Sequence, residues 1–261
     1  MTDVLVLCYH ALSADWPADL SVTPERFEEQ LELLVGRGYR GATFQQAVTA
    51  PPAKRTVAIT FDDAYRSVLE LALPIMRRLG LPGSIYVPTD WPGRHEPMTW
   101  PGIDHWAGGP QDHELLCLSW DELGELAGEG WEVGSHTRSH PHLTQLADDE
   151  LAAELEGSRA ACEEELSAPC RSIAYPYGDV DERVVAAAAA AGYSYGAALP
   201  EGRFPRPRPL DWPRAGIYNG DDLRRFRLKV SPLVRRLRGR LARPDLDRVG
   251  GADLRHDHTE P

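Results

Sequence analysis

A chain of 261 residues is long enough for one large domain or two small ones, and a hydrophobic fraction of 42% supplies an ordinary core. A net charge of −12 excludes nucleic-acid binding by bulk electrostatics. The cysteines, Cys8, Cys117, Cys162 and Cys170, form no CxxC pair, which excludes a zinc knuckle and a thioredoxin-like motif.

The first residues lack the basic start of a signal peptide, and no stretch approaches membrane-spanning length. A cytoplasmic protein with reduced thiols is the expectation. Residues 4–9 read as a first strand. Thr23 and Pro24 open a helix as N-cap and first helical residue. Phe27, Leu31 and Leu34 recur along it at helical spacing, and Gly36 and Gly38 close it. Residues 56–61 predict a strand, 68–79 a helix kinked by Pro74, and 84–87 another strand.

Residues 91–117 break the rhythm with a Gly/Pro-rich insertion carrying Trp91, Trp100 and Trp106. Loops of that length often serve as lids. Ser119 and Glu122 form a capping box for a helix running to about Gly128. A strand over 131–135, a helix over 149–166, a strand over 172–175, an alanine-rich helix over 181–191 and a strand over 193–199 follow. Strand–helix alternation argues for a parallel sheet with outer helices. Its ligand site lies beyond the carboxyl ends of the strands. His10, Asp62, Asp63, His136, His140 and Tyr177 all fall just past predicted strand ends. A closed or nearly closed barrel gathers them; an open sheet spreads them out.

Two imidazoles and a carboxylate can hold a divalent ion and leave positions open for water. A second carboxylate beside them is free to take a proton. Asp62 and Asp63, with His136 and His140 four apart as on one helical turn, supply that set. Such donors suit zinc first, and also cobalt, nickel or manganese.

Thr60-Phe61-Asp62-Asp63 and His136-Thr137-Arg138-Ser139-His140 resemble the first two motifs of the polysaccharide deacetylase family, carbohydrate esterase family 4 with its NodB homology domain. Ala174-Tyr175-Pro176-Tyr177-Gly178 resembles the third, and the likeness covers roughly residues 4–217. It implies a distorted (β/α)7-type barrel of parallel strands with outer helices. It also implies Asp63, His136 and His140 as metal ligands, Asp62 as catalytic base, and the Tyr177 backbone N–H facing the oxyanion. On composition alone Pro176-Tyr177-Gly178 reads equally as a tight turn.

The family's third motif carries an arginine where this chain has Ala174, and Arg214 is the candidate substitute. Asp211-Trp212 resembles a fourth motif loosely; Asp211 is a candidate to hold an Arg or His, and Trp212 to meet substrate. A late histidine strand is missing, since His256 and His258 stand in a polar tail. Cys8-Tyr9-His10 resembles instead the start of a circularly permuted subgroup acting on poly-N-acetylglucosamine, which implies His10 as general acid. His142 is a candidate support for the ligands, and Trp100 a candidate face for a sugar ring.

The expected activity is metal-dependent N-deacetylation of poly- or oligo-N-acetylglucosamine or a lipid-linked glycan. The alternatives are hydrolysis of another C–N bond, such as a ureide or cyclic amide, and a non-catalytic carbohydrate-binding domain. Residues 1–220 form the expected catalytic domain, and 221–261 a basic amphipathic helix and polar tail. Residues 223–243 carry Arg224, Arg225, Arg227, Lys229, Arg235, Arg236, Arg238, Arg240 and Arg243, with Pro232 dividing the segment. An anionic membrane surface and the acidic body of the same protein are both open as its partner.

Overall fold

The computed structural model describes residues 3–200 and 205–241, with side chains in the last helix through residue 237. The first apolar run forms β1 (Asp3–Tyr9), followed by two short paired strands, β2 (Ala11–Leu12) and β3 (Ser21–Val22). Helix α1 (Pro24–Gly36) starts where Thr23 accepts the Arg26 N–H and buries Phe27, Leu31 and Leu34. β4 (Arg40–Ala42), α2 (Phe44–Thr49) and β5 (Arg55–Phe61) come next.

The helix predicted over 68–79 divides in two. Val68–Ala72 is a widened turn, where the Leu73 N–H reaches back five residues to the Val68 carbonyl. The α3 helix proper is Leu73–Leu79, so Pro74 sits in a first turn that needs no N–H from it. Then come β6 (Gly83–Val87), α4 (Trp120–Gly128), β7 (Glu132–Ser135), α5 (Asp148–Leu166), β8 (Ser172–Ala174), α6 (Glu182–Ala190) and β9 (Tyr195–Ala198). The predicted capping box of α4 is present in both directions.

These strands pair in the all-parallel order β1-β5-β6-β7-β8-β9. β4 takes the first half of β5's free edge and β6 the second half. Closure comes from one short stretch: β10 (Trp212–Pro213) pairs with β9, and β11 (Ala215–Gly216) crosses to β1. The result is the nearly closed parallel barrel with outer helices that the motifs implied. Arg214 stands at the changeover.

Alternate residues of a strand point to opposite faces, and burial follows that rule. Leu5, Leu7, Val57, Ile59, Phe61, Ile85 and Val87 join the large core shared with the helices. Val6, Ala42, Ala58, Tyr86, Ala174 and Ala197 form a separate small cluster. That cluster fills the barrel, and its alanines keep the lumen narrow.

The tail expected from residue 221 does not separate there. α7 (Leu223–Lys229) sets Phe226 in the large core, with Val230 just after it. Lys229 donates to the Gly216 carbonyl at 2.9 Å and to Asp221 at 2.5 Å. α8 (Pro232–Leu241) begins at the predicted break, and its Arg235 donates to Asp3 at 2.6 Å and to the Val4 carbonyl at 3.2 Å. The domain therefore continues past 220. Residues 242–261, with Arg243, His256 and His258, and the side chains of Arg238 and Arg240 lie outside the described residues.

Candidate metal centre and active site

Asp62 and Asp63 follow the last residue of β5. The Asp62 N–H bonds the Tyr9 carbonyl at 3.0 Å, so it prolongs the parallel ladder. Its side chain therefore keeps the inward direction of Thr60. Asp63 then turns the chain, with φ of 68° followed by 53° at Ala64. The far end of the insertion pins that turn, where Leu118 N–H meets the Ala64 carbonyl and Arg66 N–H the Leu116 carbonyl, both at 2.9 Å.

His136 and His140 do not share a helical turn. Their segment is a loop with φ of 65° at Thr137 and 66° at His140. The α5 carboxylate of Glu154 clamps it, accepting the Arg138 and Ser139 N–H groups at 2.8 and 3.0 Å and the Ser139 hydroxyl at 2.7 Å. The left-handed residues bring the second ring back beside the first, the work expected of helical spacing. Their ring centroids are 4.9 Å apart.

The two loops converge. Asp63 Oδ1 lies 3.3 Å from the Nε2 atoms of both His136 and His140, and all three residues are buried. The His136 Nδ1 sits 2.8 Å from the Ala174 carbonyl, which assigns its proton to that side and turns an Nε2 lone pair toward Asp63. Asp63 Oδ1 has no hydrogen-bond donor. Acceptors facing one another at this distance suit a shared cation. Bonds of ~2.0–2.1 Å at tetrahedral angles separate ligand atoms by roughly 3.3–3.4 Å, so the residues fit a small divalent ion. Burial pushes the Asp63 carboxyl up, but both imidazoles outweigh it and hold Asp63 well below the usual range.

Asp62 belongs to a different set of contacts. Arg214 grips it with two parallel bonds, 2.6 Å to Oδ1 and 2.7 Å to Oδ2, and donates to Thr60 Oγ1 at 3.0 Å. Arg214 is 1% exposed, so this is a fully desolvated pair. Burial raises the Asp62 carboxyl, yet the guanidinium overrides it and holds it at about 2. The expected substitute for the arginine missing at 174 is thus in contact with the expected base. Cys8 lies 3.4 Å from Asp62 Oδ2, and His10 follows two residues later on the same face of the chain. A ligand atom of His10 falls within 4.8 Å of both Cys8 Sγ and an Asp62 oxygen. Burial lowers the His10 pKa, and its Nδ1 has no partner.

Tyr177 adopts φ of 59° and ψ of 3°, a left-handed turn at the rim. Its ring meets His140 edge-on at 4.6 Å and stacks on His142 at 4.0 Å. His142 touches Asp179 at 3.7 Å and so braces the third loop rather than the candidate ligands. Trp100 is only 6% exposed, and its ring covers His140 at 4.1 Å and 18°. That face is closed to a sugar; the insertion packs the His140 imidazole instead.

Asp211 and Trp212 are not at the site. Asp211 does hold an arginine, but it is Arg208 at the surface, at 2.8 Å. Trp212 points into the barrel two residues before Arg214 and packs against the small inner cluster. The strand-end alternation places it one layer too deep. The sequence reading missed the contacts of Cys8 and Thr60 with this wall. Their signal was present as inward positions two before His10 and Asp62.

Comparison with known proteins adds a second line. A family model described as polysaccharide deacetylase matches residues 49–196. YxkH of Bacillus subtilis (strain 168), named for that activity, is 26% identical over 206 residues, covering 77% of this chain and 66% of its own length. The poly-beta-1,6-N-acetyl-D-glucosamine N-deacetylase of Staphylococcus aureus (strain MRSA252) is 24% identical over 194 residues, 69% of this chain and 62% of its own. A crystal structure of a polysaccharide deacetylase from Bacillus cereus shares the fold, with a TM-score of 0.71 and 23% identity, covering 88% of this chain and 69% of that one. The chain spans about two thirds of the length of the curated relatives it matches.

Proposed function

The chain belongs to the polysaccharide deacetylase family, and on that premise we propose a metal-dependent hydrolase that removes N-acetyl groups from N-acetylated sugars. The observation that carries the proposal is the adjacency of two unlike carboxylates. Asp63 faces two imidazoles, and Asp62 is bound to a guanidinium. Asp63, His136 and His140 would hold the ion, with zinc the first candidate. When bound, it supplies the acidity that so weak a base requires of its water, and positive charge opposite a developing oxyanion.

The residues do the rest. Asp62, fixed by both Arg214 bonds, takes the proton of the attacking water. The Tyr177 N–H faces the oxygen that gains charge as the carbonyl becomes tetrahedral. His10 delivers a proton to the sugar nitrogen as the C–N bond breaks, and acetate leaves. Poly- or oligo-N-acetylglucosamine is the proposed substrate class, supported by the name of the staphylococcal relative.

The test is acetate release from N-acetylglucosamine oligomers, with and without chelator. Release should be chelator-sensitive and fall about 10²–10⁴-fold in Asp62→Asn. Glycan binding without turnover would leave only a binding domain. Turnover surviving both chelation and His136→Ala would point to another C–N bond.

A second proposal concerns the last two helices. Leu228, Leu233 and Leu237 are exposed there, on a stretch over 223–243 with nine basic residues and no acidic one. An apolar stripe flanked by arginines on a protein of net charge −12 is complementary to an anionic lipid surface. No described helix is long and apolar enough to cross a membrane.

A further inference from the structure

Cys8, His10 and Asp62 form a second convergent set of donors, next to the first but sharing none of its residues. Parallel register places Cys8 beside Thr60, so His10 comes level with Asp62 one step further along both strands. The inward faces of β1 and β5 therefore present a thiol, an imidazole and a carboxylate together. Their ligand atoms all lie within 4.8 Å of one another, and Cys8 Sγ is 3.4 Å from Asp62 Oδ2. The residues are 0, 9 and 3% exposed. The His10 Nδ1 is buried with no hydrogen-bond partner, an unmet demand that the nearby Arg214 Nε shares.

We propose that this trio is a second, inhibitory site for a thiophilic divalent cation, zinc foremost. A thiolate and an imidazole select zinc or cobalt over magnesium or calcium, whose ligands are oxygens. Arg214 already donates to both Asp62 oxygens. Each carboxylate oxygen keeps a further lone pair, so one can bind a cation without releasing the guanidinium. On binding, a sulfur–metal bond forms, the Cys8 S–H bond breaks, and the proton passes to buffer. No electron changes hands.

The consequence for turnover rests on the proposed deacetylation, but binding does not. The ion would occupy the proton-accepting oxygen of Asp62 and the proton-donating nitrogen of His10 at once. Activity should rise as the first site fills and fall as the second fills. The cation then acts as cofactor at low supply and brake at high supply.

The test is a titration of chelator-stripped full-length protein with cobalt alone. Thiolate-to-cobalt charge transfer in the near ultraviolet reports a bound sulfur. It should grow beyond the first equivalent in the parent and vanish in Cys8→Ser, while the first equivalent binds both proteins alike. His10→Gln should weaken that same second step. His136→Ala, which removes a ligand of the other set, should keep the sulfur band.

In parallel, excess zinc should lower acetate release by about 10²-fold, the size of a lost acid–base contribution. Cys8→Ser should lose that inhibition, read as the ratio of its own rates with and without excess zinc. A parent titration with no sulfur band, or a band unchanged in Cys8→Ser, overturns the proposal. Failure to release acetate at any zinc level sinks the deacetylase reading and leaves the cobalt result standing.

Discussion

Arg214 and Asp62 make the energetics of single residues visible. Asp62 sits at about 2 in the folded protein, below its unfolded value near 3.9. A depressed carboxylate stabilises the fold above its unfolded pKa, and that stability disappears as pH falls from about 4 toward 2. The contribution is about 2 kcal/mol at neutral pH. In Arg214→Met burial acts on Asp62 with only His136 and His10 left to oppose it, and its pKa rises. That variant should lose about 3–5 kcal/mol at pH 7 in urea melts, and recover part of the gap to the parent at pH 4. A gap that widens on acidification would contradict the pairing.

His10 is tested by its leaving group. An amine must be protonated to depart, whereas a nitrophenolate need not be. His10→Asn should therefore cost about 10²-fold or more on an acetamide and far less on nitrophenyl acetate. Asp62→Asn should depress both. Equal losses in the two variants on both substrates would remove His10 from the acid role.

Among elements, three loops carry the candidate site residues, and they are strained. Asp63, Ala64, Thr137, His140 and Tyr177 make up five of the six non-glycine residues with positive φ among the described residues. Such conformations persist only where their surroundings over-determine them. Here Glu154, the 116–118 backbone and the Trp100 ring do so. Trp100→Leu uncovers His140 and should weaken metal binding about 10–100-fold, read by competition with a chelator. Unchanged affinity would reduce Trp100 to loop filling.

The sixth such residue is Ser167, which ends α5 at φ of 50°. Ser167→Gly should stabilise by about 0.5–1 kcal/mol in the same urea melts. The barrel was legible through the family resemblance, and the nearness of Asp62, Asp63, His136 and His140 through their shared place just past strand ends. The HxxxH spacing misled about geometry, since a left-handed pair can return a side chain as a helical turn does. Asp211 does hold an arginine, but the surface Arg208, and Trp212 packs on the inner cluster, for a related reason. A strand of two residues has too little alternation to show which face is inward, or how deep.

For the whole molecule, the net charge hides a division. The body is acidic, and residues 223–243 concentrate nine basic residues. Lys229 and Arg235 turn inward to Asp221 and Asp3, while the exposed leucines turn out. Leu233→Glu combined with Leu237→Glu should abolish flotation with phosphatidylglycerol vesicles and leave acetate release unchanged. Flotation that persists, or that phosphatidylcholine supports equally, ends the membrane proposal.

Arg214 joins the barrel 152 residues after Asp62, on the stretch that closes it. During synthesis the buried acid waits without its counter-charge until nearly all of the domain has left the ribosome. On the proposed mechanism, a chain that stops short of Arg214 should be inactive. Until residue 214 is seated, the barrel lacks its closing strands and Asp62 its counter-charge at the same time.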